Sequence, residues 1–222
     1  MKSILDLEKE YSASYHSQFN DYRTLFELIK KVDFSNIQNN DITKAILYRI
    51  KGYYQYQNEI NQLLNRGIVP AASDIFTETV LFYLSAFLKS SNIPLIAKSE
   101  IFIGENLRIK PDISLWSTSG EFVGFIECKT QLGRSRDNWE ENFESRVESV
   151  RKVYPNALSF LVVMTESNWQ GFRNNPNVGR RYFCLLPGEI GINAGIRDLN
   201  FENEIPILNP IESLFEQIKK GK

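Results

Sequence analysis

After Asn92-Ile93-Pro94 the hydrophobic texture of the chain changes from a period of three and four to a period of two. This switch constrains the fold more than any other feature, because the chain must place helices first and pleated strands second. Upstream, Leu7, Tyr11, Tyr15, Phe19, Tyr22, Phe26 and Ile29 recur at helical spacing and define one face of a long helix. An Asn-rich break covers 33–40. Residues 42–64 then read as one or two further helices, with Gly52 as a joint. A further helix is expected over 73–89, capped by Ser73 or Asp74. Downstream, 95–103, 109–116 and 122–130 read as three strands joined by tight turns at Gly104-Glu105-Asn106 and at Ser117-Thr118-Ser119-Gly120. Asp137 with Glu140 resembles a capping box that opens an amphipathic helix carrying Trp139, Phe143, Val147, Val150 and Tyr154. Strands follow over 157–165 and 182–186, separated by a polar loop. Asn209-Pro210 opens a last helix. The expected fold is α/β: a mixed central sheet flanked by helices over 71–222, preceded by a helical N-terminal subdomain over 1–70.

Composition narrows the chemistry. The formal net charge is −1, far from the basic balance of a DNA coat protein. Local patches and bound cations still permit work on phosphate. The single histidine, His16, excludes hydrolytic sites built on two or more imidazoles. Two cysteines make neither a disulfide framework nor a zinc pattern. With an early acidic N-terminus and no long apolar run, a cytoplasmic protein without membrane association is expected.

The reacting groups that remain are carboxylates and lysines, and one constellation stands out. Pro111-Asp112 lies in the second expected strand and Glu127-Cys128-Lys129 ends the third. Alternation puts Glu127 and Lys129 on one face, together with Val123 and Phe125. A hairpin between the two strands brings Asp112 opposite the far end of the third. Two carboxylates placed together repel and raise one pKa unless a cation sits between them. A hard divalent cation such as Mg²⁺ suits oxygen donors, and the lysine adds positive charge beside it. The alternative is structural: Asp112 ends a strand and Glu127–Lys129 is a surface pair, which requires a water-facing edge that the apolar run Gly124-Phe125-Ile126 argues against.

Pro111-Asp112, a gap of fourteen residues and Glu127-Cys128-Lys129 resemble the PD-(D/E)xK motif of the restriction-endonuclease-like superfamily. The order helix, three-stranded meander, helix, strand over 73–165 resembles that family's core. The resemblance implies a Mg²⁺-dependent nuclease with catalytic Asp112, Glu127 and Lys129. It implies metal ligation by the two carboxylates and by the backbone carbonyl of Cys128. A further acid from the preceding helix is matched by Glu78, for which Asp74 or Glu100 is a substitute. A lone domain of this size looks most like a type II restriction endonuclease, which implies double-stranded DNA as partner and a homodimer. A repair or recombination nuclease, and a non-catalytic DNA-binding module on the same fold, are the alternatives. Arg134 and Arg136, in the loop after the third strand, are candidate phosphate clamps.

Overall fold

The computed structural model describes residues 2–37, 40–104, 107–130, 138–166 and 172–221. Three helices, α1 (Ile4–Ile29), α2 (Asp41–Leu64) and α3 (Ser73–Ser90), precede strands β1 (Leu95–Ser99), β2 (Ile113–Ser117) and β3 (Phe122–Lys129). Helix α4 (Trp139–Arg151) leads to β4 (Leu158–Thr165). Strand β5 (Tyr182–Leu186), a short α5 (Ala194–Arg197) and α6 (Ile211–Lys220) follow. The strands form one mixed sheet in the order β1-β2-β3-β4-β5. The first two pairings are antiparallel and the last two parallel.

Helices cover both faces. Phe76, Val80, Leu84 and Leu88 of α3 share a core with Ile113, Ile126, Phe160 and Val162, and with residues of α2 and α6. On the other face, Trp139, Phe143, Val147 and Val150 of α4 pack against Phe125, Leu161, Val163 and Tyr182. Burial on both faces explains why β3 and β4 read as nearly continuous apolar runs.

Several local expectations are corrected. The first strand stops at Ser99 rather than at residue 103, because Glu100 takes the left-handed conformation (φ 51°) and turns the chain out of the sheet. The second strand begins at Ile113 rather than at residue 109: Arg108 is also left-handed (φ 46°), and Pro111 has no N–H to give to a ladder. An irregularity in the β2–β3 register leaves Val123 without a partner between the Leu115–Gly124 and Trp116–Phe122 pairs. This bulge reverses the alternation, so Val123 packs with the α3 core and Phe122 with the α4 cluster. Helix α2 runs unbroken through Gly52. Helix α3 begins at Ser73 itself, with Ala72 before it. The expected capping residue Asp137 lies outside the described residues.

The N-terminal helices do not build a core of their own. Ile42, Ile46, Leu47, Ile50 and Tyr54 of α2 belong to the same cluster as α3 and the sheet. Asn40, the residue before α2, makes no side-chain cap. Glu212 of α6 supplies one instead: its carboxylate accepts from the Ile42 and Thr43 N–H groups at 2.7 and 3.1 Å. The Thr43 hydroxyl donates to the same carboxylate at 2.5 Å and accepts from the Ile211 N–H at 2.8 Å. Two helix starts far apart in sequence thus cap each other. Glu212→Ala is expected to cost about 1–2 kcal/mol, the usual loss of a helix cap. It should lower the melting temperature by roughly 2–8 °C; an unchanged melting curve would remove this bridge from the stability of the fold.

Candidate active site

Strand direction assembles the site. Strands β1 and β3 run one way and β2 the other. The ends of β1 and β3 and the start of β2 therefore meet at one edge of the sheet. At this edge the antiparallel β1–β2–β3 meander gives way to the parallel β3–β4 pairing. Asp112 immediately precedes β2, and the pairing of Ile113 with Ile126 sets it opposite Glu127.

The structure brings Asp112, Glu127 and Lys129 together. The Lys129 ammonium donates to Asp112 Oδ2 at 2.7 Å and to Glu127 Oε2 at 3.0 Å. Asp112 Oδ2 also accepts from the Cys128 N–H at 2.8 Å. The main-chain carbonyl of Asp112 is held in turn by the Ser99 hydroxyl at 2.9 Å and by the Glu100 N–H. That N–H continues the β1–β2 register by one rung before the left-handed turn at Glu100 carries the chain away.

Glu127 is the buried member, with its side chain only 6% exposed. A carboxylate this far from water requires compensation. Lys129 provides half of it. Arg146 of α4 provides the rest, its guanidinium donating to Glu127 Oε1. Arg146 did not stand out in the sequence, although a signal was present. It lies three residues after Phe143 and beside Val147, on the rim of the buried face of the crossover helix. Lys129 feels burial, which favours its neutral form. The charges of Glu127 and Asp112 and their hydrogen bonds outweigh it, so its pKa is raised and it stands as an ammonium. The expected like-charge repulsion between the two carboxylates is thus relieved by two cations.

A cleft of about 460 Å³ opens on this edge. Asp112, Cys128, Lys129 and Thr130 form one wall; Asp74, Thr77 and Glu78 of α3, with Glu100, form the other. All three candidates for the additional acid therefore reach the cleft. Glu78 makes its hydrogen bond to the Tyr22 phenol of α1, which, with burial as the larger cause, pushes that phenol up to about 12. The Cys128 thiol turns toward α3, where burial first, and then the Asp112 charge, raise its pKa. The Cys128 carbonyl, like its N–H, is presented to the side of the strand occupied by Asp112. Arg134 and Arg136 lie outside the described residues. The flanking Lys110 forms an exposed ion pair with Glu100 at 2.6 Å.

The donor chemistry suits Mg²⁺. The available atoms are carboxylate oxygens and a main-chain carbonyl, which are hard ligands. Among the described residues no group of three His, Cys, Asp or Glu side chains could enclose a metal ion. Mg²⁺ does not require such a cage: it commonly rests on one or two carboxylates and completes its shell with water and substrate phosphate. Among the described residues, no helix is long and apolar enough to cross a membrane. Comparison with known protein families, with curated proteins and with solved structures gives no match for this chain.

Proposed function

We propose that the chain is a Mg²⁺-dependent DNA endonuclease with a restriction-endonuclease-like fold and a PD-(D/E)xK site. The observation that carries this reading is the convergence of Asp112, Glu127 and Lys129 on one sheet edge, beside an open cleft. Asp112, Glu127 and the Cys128 carbonyl would hold the cation. The four charged side chains of the cluster sum to zero, so a phosphodiester needs further positive charge; the cation supplies it and acts as a Lewis acid toward water and phosphorus oxygen. Lys129, kept protonated by its two partners, acts as a hydrogen-bond donor and a fixed charge. It is placed to orient the attacking water or to stabilise charge growing on the phosphate. Arg146 is half exposed and can turn from Glu127 to a phosphate oxygen, where a guanidinium binds well. A type II restriction activity on double-stranded DNA is the form we favour, with Arg134 and Arg136 as phosphate clamps.

The test is incubation of the purified protein with plasmid DNA in Mg²⁺ or EDTA, with Glu127→Gln as the inactive control. Discrete fragments in Mg²⁺ alone identify restriction, and a smear identifies a nuclease without sequence preference. Intact plasmid in every condition rejects the proposal. It would leave the cluster as an ion network that ties β2, β3 and α4 together, a reading favoured by the pairing of both carboxylates.

Metal affinity gives a second check. Asp112→Asn is expected to weaken Mg²⁺ or Mn²⁺ binding by about 10-fold or more. It should also lower the melting temperature in EDTA, since Lys129 loses a counter-charge. Unchanged affinity by calorimetry would remove Asp112 from the metal site. A higher melting point in EDTA would restore the like-charge picture.

A further inference from the structure

Helix α1 has twenty-six residues, and none of them is buried. Its last third touches the core through Tyr22, Phe26 and Ile29. Its first two thirds carry an apolar row, Ile4, Leu7, Tyr11, Tyr15 and Phe19, exposed by 51% at Tyr11 and up to 88% at Ile4. An amphipathic helix with a bare apolar stripe is marginal alone in water. A row of this extent on a folded protein marks an interaction surface.

We propose that this row is the interface with a second copy of the chain, the two α1 helices packing antiparallel about a two-fold axis at Tyr11. The row is nearly palindromic about that residue. Leu7 and Tyr15 lie four residues to either side, and Ile4 and Phe19 seven and eight. Antiparallel pairing therefore sets Leu7 against Tyr15 of the partner subunit and Ile4 against Phe19 of the partner subunit, as a self-complementary two-fold contact requires. Charge selects the same direction. Asp6, Glu8, Lys9 and Glu10 crowd the first turns, whereas residues 11–20 contain no Asp, Glu, Lys or Arg. Antiparallel helices lay the charged segment of each against the uncharged segment of the other. Parallel helices would stack Glu8 and Glu10 on their own copies.

The available area suffices. The row spans about 24 Å of helix at 1.5 Å per residue. Alongside it, α2 runs antiparallel: the Tyr11 and Tyr56 phenols are neighbours, while Tyr22 packs against Arg49. That course carries Ile4 toward Leu63 and Leu64, which are also exposed. With Leu63 and Leu64 the patch holds seven large side chains, each more than half exposed, which together approach the roughly 800 Å² per partner of a standard interface. Two such helix pairs then form a four-helix arrangement. A membrane surface is disfavoured, because the polar side of α1 mixes acids and lysines rather than presenting a cationic face.

The inference is independent of the nuclease reading. Sedimentation equilibrium of the full chain should give a dimer, and the Leu7→Glu/Tyr15→Glu variant a monomer whose circular dichroism spectrum stays native, because neither side chain belongs to the core; its melting temperature should lose only the concentration-dependent part that dimer formation adds. Direction is tested by oxidative cross-linking, for which the native Cys128 and Cys184 are buried and silent. Tyr11→Cys should cross-link to its own copy and Ile4→Cys should not. A wild-type chain that stays monomeric at every concentration reached, or that is monomeric and sediments with anionic vesicles, overturns the proposal. So does a dimer that survives the double substitution, or one that cross-links through Ile4→Cys as readily as through Tyr11→Cys.

Discussion

Lys129→Met is expected to reduce Mg²⁺-dependent DNA cleavage by about 10²–10⁴-fold, the range over which a positioned proton-handling or charge-stabilising group acts. The structure adds a second expected effect that the sequence did not suggest. Lys129 is the shared counter-charge of Asp112 and Glu127. Its loss leaves the buried Glu127 with Arg146 and leaves Asp112 with the Cys128 N–H as hydrogen-bond partner. Breaking a buried pair costs several kcal/mol, but Lys129 and Asp112 are each about a third exposed, so roughly 1–2 kcal/mol is expected here. In EDTA the melting temperature should fall by roughly 2–8 °C, and Mg²⁺ should recover most of the loss by restoring positive charge. A variant that cuts at the wild-type rate would show that Lys129 has no part in catalysis. A melting temperature that Mg²⁺ leaves lowered would show that the cation does not reach the two carboxylates.

The second large effect is expected from one methyl group. Gly124 of β3 pairs with Leu158 of β4. A Cβ on Gly124 would come within 2.5 Å of the Leu158 carbonyl oxygen and 2.7 Å of the Leu158 Cβ. Both obstacles are fixed to the backbone, so only separation of the strands relieves the clash. Gly124→Ala is therefore expected to cost on the order of 3 kcal/mol, at the upper end of overpacking. The melting temperature should fall by about 6–12 °C, and activity should fall with it, because β3 carries Glu127 and Lys129 three and five residues further on. Gly52 provides the contrast: it lies inside α2 with open space around its Cβ direction. Gly52→Ala should stabilise by about 0.5–1 kcal/mol through backbone entropy alone. Equal melting temperatures for the two variants would deny the close approach of β3 and β4.

Most of the architecture was legible because it follows from periodicity. The strand alternation after Pro94, the continuous apolar runs of β3 and β4 and the three–four spacing from Trp139 to Val150 each report one buried face or two. The pairing of Asp112 with the Glu127–Lys129 segment was legible for the same reason: a tight turn between two short strands leaves few registers. Element ends were less legible. Glu100 and Arg108 adopt left-handed conformations that their side chains do not announce. The bulge at Val123 moved that residue to the opposite face, since one extra residue reverses a period of two.

What the sequence by itself determined is the local order of helices and strands and the triad of Asp112, Glu127 and Lys129, all of which depend on neighbours within a few tens of residues. What only the tertiary structure decided depends on groups far apart in the chain. Arg146 reaches Glu127 because the crossover helix packs on the face from which that carboxylate projects. Glu212 caps α2 from a helix 170 residues away. Tyr22 engages Glu78 because α1 is rooted against α3. The exposure of the Ile4–Phe19 row belongs to the same class. A three–four repeat states that a helix has an apolar face, and the packing of the remaining helices determines whether that face is covered within one chain.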